Sequence, residues 1–214
     1  MKTYLFDFDG TLVDSMPTYA GMMKRILDEN NISYGDDLVK IITPLGFKGT
    51  AKYFKDVLGI KLSMEELGEL MGKYALEEYT YNIPAKRNVP EVLKKLKAEG
   101  ASLNVLTASP HLTLDPCLKR IGIYDLFDNV WSCDDFNTTK ADPEIYRMAA
   151  EKIGVQVGEV LFLDDNFNAD KTAKEAGMKV CGVYDDSSSE YEEEIRGIAD
   201  YYIKDFSELT EICF

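Results

Sequence analysis

The chain has 214 residues and a mass of 24.2 kDa, enough for one large domain or for one domain that carries a smaller insertion. Hydrophobic residues make up 45% and charged residues 29% of it, a balance that excludes a wholly disordered chain. With 24 Lys and Arg against 38 Asp and Glu, the formal charge of −14 argues against partners bound through a broad positive surface, such as nucleic acid or an anionic membrane. An anionic substrate would therefore need a small local site, helped by a metal cation.

The first predicted element is a short strand at Tyr4–Phe6, and a helical block follows it. Residues 15–81 hold no convincing strand and contain helical patterns at 19–30, 49–58 and 64–79. We therefore predict an all-helical domain at 15–81, inserted into a core domain that is formed by 1–14 and 82–214. Asp14 and Ser15 are expected to cap the first helix of the inserted domain.

From residue 82 onward, predicted helices and strands alternate. The strands are brief, rich in β-branched or aromatic residues, and lie at 103–106, 130–131, 160–163 and 179–184. Helical patterns lie at 89–99, 112–121, 143–153 and 169–176, and the acidic segment 185–190 is expected to be a solvated loop. This alternation predicts an α/β core, a Rossmann-like doubly wound parallel sheet covered on both faces by helices. Ligands of such sheets bind at the carboxyl ends of the strands.

The cysteines and the hydropathy pattern bear on the compartment. No two cysteines form a Cys-x-x-Cys pair, which favours reduced thiols over a zinc site or a disulfide framework; they are Cys117, Cys133, Cys181 and Cys213. The apolar run at the N-terminus is too short for a signal peptide, and no stretch approaches the roughly 18 apolar residues of a membrane span. We expect a soluble, cytoplasmic protein.

The segment Phe6–Thr11 carries the strongest chemical signal. Asp7 and Asp9 stand two residues apart where the first strand ends, and Gly10 then lets the backbone turn. Like charges that close together are costly unless a cation lies between them, and Mg²⁺ favours oxygen ligands and substrate phosphate. A calcium loop of the EF-hand type is excluded because glycine is at the fourth position rather than the sixth. An acidic turn without a metal is the alternative.

Three further polar segments end predicted strands or begin predicted helices. Asp164 and Asp165 follow a buried apolar run and could complete the oxygen shell opposite Asp7, or form a solvated turn. Thr107 closes another strand, where its hydroxyl and the amides behind it could cradle a phosphate, or where it could cap the next helix. Lys140 precedes a helix and, taken singly, would be a surface charge.

Taken together, these segments resemble the four motifs of the haloacid dehalogenase superfamily in order and spacing. The matching residues are Asp7-x-Asp9-Gly10-Thr11, Thr107, Lys140 and Asp164-Asp165. The helical block resembles the small α-helical cap of that superfamily, so the resemblance covers essentially the whole chain. The chain departs from the family at Ala141, where proline usually follows the lysine, and at Asp170, where an apolar residue is common.

The resemblance implies a phosphatase that uses Mg²⁺. Asp7 would attack phosphorus and form an aspartyl-phosphate, while Asp9 would act as general acid and then as general base. Lys140 would compensate the charge of Asp7 and hold phosphoryl oxygens together with Thr107 and Ala108. The implied magnesium ligands are Asp7, the backbone carbonyl of Asp9, and Asp165 with Asp164 nearby.

Three other functions are less favoured than simple hydrolysis. Dehalogenases of this superfamily usually lack the second acid of the first motif and need no magnesium, so Asp9 argues against that activity. Mutases such as β-phosphoglucomutase commonly have valine where Thr11 stands and histidine where Tyr19 stands, so hydrolysis is favoured over transfer to a second sugar. A non-catalytic binding module is disfavoured because every chemical position is filled.

The substrate is weakly encoded. The chain most resembles the phosphoglycolate phosphatase branch, which implies a small phosphorylated metabolite such as phosphoglycolate or a sugar phosphate. Lys48 in the helical block is the candidate for contact with an anionic substrate, its alternative being a surface lysine. The single histidine, His111, is expected near the mouth of the site in a structural role. The oligomeric state is left open.

Overall fold

Six parallel strands form one sheet in the computed structural model, which describes residues 2–214, with Pro44 by its backbone. The strands are β1 Thr3–Phe6, β2 Ser102–Thr107, β3 Asn129–Ser132, β4 Val160–Asp164, β5 Lys179–Val183 and β6 Tyr201–Ile203. Their order across the sheet is β3-β2-β1-β4-β5-β6, and all neighbouring pairs are parallel. Because β1 has β2 on one side and β4 on the other, the strand order reverses at β1. The predicted α/β fold with a doubly wound parallel sheet is confirmed.

The described residues also form α-helices and short 3₁₀ helices. The α-helices are α1 Met16–Glu29, α2 Leu38–Ile42, α3 Gly46–Asp56, α4 Met64–Tyr81, α5 Val89–Ala98, α6 His111–Arg120, α7 Pro143–Ile153, α8 Phe167–Ala176 and α9 Glu192–Ile198. The 3₁₀ helices are Thr43–Leu45, Tyr124–Leu126, Cys133–Phe136, Val157–Glu159, Asp186–Tyr191 and Phe206–Glu211. Among residues 2–214, no helix combines the length and the apolar character that a membrane crossing needs.

The central strands are buried because they are covered on both faces. Every residue of β1, β2 and β4 is buried. On one face, Leu5 and Phe162 belong to a core cluster with Tyr146 of α7 and Ala173 of α8. The interiors of β1 and β4 are continuous apolar runs, as expected of enclosed parallel strands, whereas β2 also holds the buried polar side chains of Ser102 and Asn104. Aspartates follow these two runs at the carboxyl edge of the sheet.

Two helix starts fix the segments that follow the strands. Asn166 caps α8, because its side-chain oxygen accepts hydrogen bonds from the N–H groups of Asn168 and Ala169 at 3.0 and 3.2 Å. Asp142 caps α7 by accepting from the N–H of Glu144 at 3.0 Å. The turn between β4 and α8 is consequently short, and little freedom is left to the acids that lie in it.

The chain divides into two compact units. One comprises the residues up to Asp14 together with Pro84–Phe214, and the other comprises Ser15–Ile83. The second unit contains α1–α4 and has its own buried apolar side chains, among them Met23, Phe54 and Leu67. Its helix α4 begins with a reciprocal capping box between Ser63 and Glu66.

Several local expectations are wrong. Strand β6 is absent from the sequence prediction, and the segment 185–190 is largely a 3₁₀ helix rather than a solvated loop, with Asp185 buried. Ser15 occupies the N-cap position of α1 but makes no capping bond, because its backbone is helical (φ −92°, ψ −20°) rather than extended. Its hydroxyl is buried without a partner among the described residues.

Candidate active site

Three carboxylates meet at the carboxyl edge of the sheet. Asp7 follows β1, and Asp164 and Asp165 lie at the end of β4, the strand beside it. The N–H of Asp7 continues the ladder by donating to the carbonyl of Leu163 at 2.8 Å. All three acids are buried, and each offers an oxygen within 4.8 Å of the oxygens of the other two. The order of the strands thus brings together acids that are more than 150 positions apart.

Lys140 joins two of these acids. Its ammonium forms ion pairs with Asp7 and with Asp164, the latter at 2.7 Å. The Tyr146 hydroxyl of α7 donates to the Lys140 carbonyl at 3.1 Å and so holds the lysine from the helix that follows. Burial works against the charged form of the lysine, but the carboxylates of Asp164 and Asp7 outweigh it and raise the pKa of Lys140 well above its ordinary value. Lys140 is therefore a permanent cation in the cluster.

Asp164 and Asp165 have different surroundings. Oδ2 of Asp164 accepts from Lys140, and Oδ1 accepts from the N–H of Asn166 at 2.8 Å. Oδ1 of Asp165 accepts from the Thr11 hydroxyl at 3.1 Å, and within the part of the chain that the structure describes no donor reaches its Oδ2. Both oxygens of Asp164 are thus engaged by the protein, whereas Asp165 keeps one oxygen for a ligand.

Gly10 makes room for the Asp165 carboxylate. The glycine has a positive φ of 75°, and a Cβ placed on it would lie 2.6 Å from both carboxylate oxygens of Asp165. Side chains are disfavoured at this φ in any case. Gly10 therefore serves two purposes, the turn after β1 and the close approach of the acid from β4.

The donor set fits a hard divalent cation such as Mg²⁺. Burial, and then the neighbouring carboxylates of Asp164 and Asp7, raise the pKa of Asp165 well above its ordinary value. Burial and the Asp7 carboxylate likewise raise the pKa of Asp164. Lys140 offsets one of the three negative charges, so a bound cation would relieve the repulsion that remains. Mg²⁺ takes oxygen ligands and is commonly held by one or two carboxylates plus substrate phosphate.

The loop after β2 lies against the first motif. The buried Thr107 accepts a hydrogen bond at its hydroxyl from the N–H of Ser109 at 3.1 Å. The alternative that Thr107 caps the next helix is wrong, because Pro110 is the N-cap residue of α6. The Ser109 hydroxyl donates to Oδ2 of Asp9 at 2.5 Å. Ala108 lies between these two residues, on the loop that carries the predicted phosphate donors.

Sequence reasoning missed Ser109 and Lys86. Ser109 belongs to the loop that holds the predicted phosphate donors, but nothing in the sequence indicates its hydrogen bond to Asp9. The Lys86 ammonium donates to the carbonyls of Gly10 and Tyr184, both at 2.6 Å, and to Asp185 at 3.0 Å. A single lysine between predicted elements carries no pattern that would have revealed these contacts.

Among the described residues, the remaining candidates form no hydrogen bond or ion pair with the three clustered acids. Lys48 is exposed on α3 of the helical unit, so its contact with a substrate stays a prediction. His111 begins α6, and its two ring nitrogens lie 2.8 Å from carboxylate oxygens of Asp115 and Asp135. Asp170 on α8 is completely buried.

Known proteins resemble this chain in sequence or in fold. The model of the family described as haloacid dehalogenase-like hydrolase matches residues 4–183. The chain is 31% identical over 182 residues to pyrophosphatase PpaX of Bacillus velezensis, covering 84% of this chain and 81% of that protein. It is 28% identical over 195 residues to a phosphoglycolate phosphatase of Colwellia psychrerythraea, covering 85% of this chain and 84% of that protein. The crystal structure of CbbY from Rhodobacter sphaeroides in complex with phosphate superposes with a TM-score of 0.78 at 20% identity, covering 98% of this chain and 96% of that chain.

Proposed function

The chain belongs to the haloacid dehalogenase-like hydrolases and hydrolyses phosphate esters, and from this premise we propose that it is a Mg²⁺-dependent phosphatase of small phosphomonoesters. The observation that carries the proposal is the buried cluster of Asp7, Asp164 and Asp165 with Lys140 inserted into it. Phosphoglycolate or a sugar phosphate is the proposed kind of substrate, since a relative of this chain is named as a phosphoglycolate phosphatase.

Asp7 and Asp165 are the proposed direct ligands of the metal, together with the backbone carbonyl of Asp9. Asp164 is the less suitable direct ligand because Lys140 and the Asn166 N–H already occupy its oxygens. It would instead hold Lys140 in place. When bound, the cation would neutralise phosphate charge and allow an anionic carboxylate to approach phosphorus.

Asp7 is the proposed nucleophile. Its carboxylate would attack phosphorus, and the ester oxygen would leave as an aspartyl-phosphate forms. Asp9 would protonate the leaving oxygen and then take a proton from the water that hydrolyses the intermediate. The Ser109 hydroxyl, 2.5 Å from Oδ2 of Asp9, orients that carboxyl group.

Lys140, Thr107 and the backbone at Ala108 are the proposed partners of the phosphoryl oxygens. Lys140 already contacts Asp7, so a phosphoryl group that approaches Asp7 would meet the same ammonium. Donors fixed in advance stabilise charge that is spread over the phosphoryl oxygens without reorganising during the reaction.

Tyr19 supports hydrolysis over a mutase reaction. Mutases that resemble this chain commonly have a histidine at this position. The Tyr19 hydroxyl lies 2.7 Å from that of Thr50, and burial raises the pKa of Tyr19 above its ordinary value of 10. A phenol that stays neutral at physiological pH is a poor general base for activating a sugar hydroxyl. Water is therefore the proposed acceptor.

Release of inorganic phosphate tests the proposal. Phosphoglycolate, several hexose phosphates and pyrophosphate would be supplied to the wild-type protein with Mg²⁺ and with EDTA. We expect phosphate release only with the metal, and a preference for a phosphomonoester over pyrophosphate. Formation of an isomeric hexose phosphate, activated by glucose 1,6-bisphosphate, would favour the mutase instead. No release from any ester with Mg²⁺ would contradict the proposed function.

A further inference from the structure

Lys86 has all three of its ammonium N–H groups engaged. Two donate to backbone carbonyls, those of Gly10 and Tyr184 at 2.6 Å, and the third reaches Oδ2 of Asp185 at 3.0 Å. The side chain is only 19% exposed, and that of Asp185 is 6% exposed. Long lysine side chains lose considerable rotamer entropy when they are fixed, so three well-placed acceptors are needed to hold one here.

These contacts fasten the turn after β1 to the end of β5. Lys86 holds the turn from two sides, since its backbone N–H donates to the carbonyl of Leu12 at 3.0 Å while its ammonium bonds to Gly10. Asp185 is itself fixed, because its Oδ1 accepts from both the N–H and the hydroxyl of Ser187, at 3.0 and 2.6 Å. The ammonium therefore joins two rigid points of the core unit.

The same turn also contacts the carboxylate of Asp165. The carboxylate of Asp165 lies directly over Gly10, with no space for even a Cβ between them, and accepts from the Thr11 hydroxyl. A displacement of the turn would move both of these contacts. Lys86 bonds to Gly10, the residue on which the carboxylate rests, and so acts on Asp165 without touching it.

Charge does not account for the arrangement. Lys86 favours the ionised form of Asp165, but the carboxylate of Asp185 opposes it at least as strongly. The Lys86–Asp185 pair therefore does not favour the ionised form of Asp165. What the ammonium contributes is the position of a backbone carbonyl.

We propose that Lys86 is a positioning residue for the metal site, and that its ammonium holds the Gly10 turn where Asp165 can bind a divalent cation. This inference rests on the proposed function, because it presumes that Asp165 is a metal ligand. Residues that orient metal ligands from behind typically change metal affinity by about 10- to 100-fold when they are substituted.

Direct metal binding tests the proposal without relying on turnover. Mn²⁺ binding to the whole protein would be followed by electron paramagnetic resonance for the wild type, Lys86→Met and Lys97→Met. Lys97 is the matched control, because it also forms an ion pair within the core unit, with Asp128, but away from the acids. We expect the Kd for Mn²⁺ to rise about tenfold or more in Lys86→Met and to stay within about twofold in Lys97→Met. In Lys86→Met, kcat at saturating metal should recover to near the wild-type value, while the metal concentration that it requires stays raised.

A Kd in Lys86→Met no higher than that of Lys97→Met would overturn the inference and leave the proposed function intact. A wild-type protein that binds no Mn²⁺ would overturn both, since there would be no site to hold. If Lys86→Met fails to fold, Lys86→Arg is measured instead. The planar guanidinium cannot place donors at the three points that an ammonium reaches, so we expect its Kd to rise at least threefold. A Kd within twofold of the wild type would then reject the role.

Discussion

Asp170 is a carboxyl group enclosed in the core without a hydrogen bond. It lies on α8, is completely buried, and neither of its oxygens has a partner among the described residues. Burial, and then the carboxylates of Asp164 and Asp165, raise its pKa well above the ordinary value of 3.8. The folded protein therefore keeps the Asp170 proton to a higher pH than an exposed aspartic acid does, at a position where the family commonly has an apolar residue.

This acid should make the protein less stable as the pH rises. In the unfolded chain Asp170 loses its proton near pH 4, whereas the folded chain keeps it, so the free energy of unfolding falls between pH 4 and the folded-state pKa. We expect Asp170→Leu to raise the free energy of unfolding by about 1–3 kcal/mol at pH 7, and by less at pH 4. Urea denaturation at the two pH values measures this. A stability gain that is the same at both would show that Asp170 ionises in the fold.

Replacement of the proposed nucleophile should remove turnover and leave the fold. A carboxamide does not attack phosphorus, so Asp7→Asn should lower kcat by at least about 10⁴-fold. Lys140 would still pair with Asp164, and the circular dichroism spectrum should be unchanged. Asp56→Asn, at an exposed position of α3, is the control. Activity of Asp7→Asn within tenfold of the wild type would refute the assignment.

Removal of the charge of Asp165 should raise the magnesium requirement. Asp165→Asn leaves an oxygen for the Thr11 hydroxyl but takes away the anion that we assign to the cation. We expect the Mg²⁺ concentration for half-maximal activity to rise about tenfold or more. A metal titration of phosphate release measures it, and an unchanged midpoint would place the metal elsewhere.

The acids could be predicted from sequence, but their supporting residues could not. Asp7, Asp164 and Asp165 end apolar strands, and parallel strands bring their carboxyl ends to one edge. Lys86 instead bonds mainly to backbone carbonyls, one of them 98 positions away, and a carbonyl has no signature in sequence. Ser109 lies 100 positions from its partner Asp9, and no local pattern links the two residues. Contacts of this kind depend on the finished fold.

At the level of elements, His111 joins helix α6 to the 3₁₀ helix Cys133–Phe136. One ring nitrogen lies 2.8 Å from Asp115 within α6, and the other lies 2.8 Å from Asp135. Asp135 also accepts from the N–H of Ser132, which closes the start of the 3₁₀ helix. Only the protonated ring can donate to both carboxylates. These hydrogen bonds, with Asp115 and then with Asp135, raise the pKa of His111 above its ordinary value of 6.5.

The contribution of this link should fade at alkaline pH. Because the folded-state pKa is the higher one, the stabilisation is fully present below about pH 6.5 and is lost as the pH rises through the folded-state value. His111 is the single histidine of the chain, so its NMR titration needs no assignment. We expect a midpoint above 6.5 that falls in Asp135→Asn. A midpoint at or below 6.5 would contradict a doubly bonded imidazolium.

Most elements were predicted because their apolar pattern is long enough to read. Helix α7 begins and ends as expected, fixed by Pro143 at its start and Gly154 after it. Strand β6 is three residues long at the edge of the sheet and has two tyrosines, so it has no buried run to reveal it. Its pairing with β5 depends on the sheet that is already present.

For the whole molecule, the charge of −14 should act in opposite directions on its two ligands. A negative field repels an anionic phosphate ester and attracts a divalent cation, and salt screens both effects. Between about 0.02 and 0.2 M KCl, we expect kcat/KM at saturating Mg²⁺ to rise about twofold or more, while the Kd for Mg²⁺ rises as well. Steady-state kinetics and calorimetry would measure them. A fall in kcat/KM with salt would show that local positive charge outweighs the overall field.

The backbone passages to and from the helical unit lie side by side. The N–H of Asp14 donates to the carbonyl of Pro84 at 3.0 Å, and Val13 forms a bridge with Ala85 in the antiparallel sense. The polypeptide thus leaves the core and returns to it at one pair of adjacent backbone segments. None of the clustered acids lies on these segments. We expect that a different helical module could replace the segment between Asp14 and Pro84 while the three clustered acids keep their positions in the core unit.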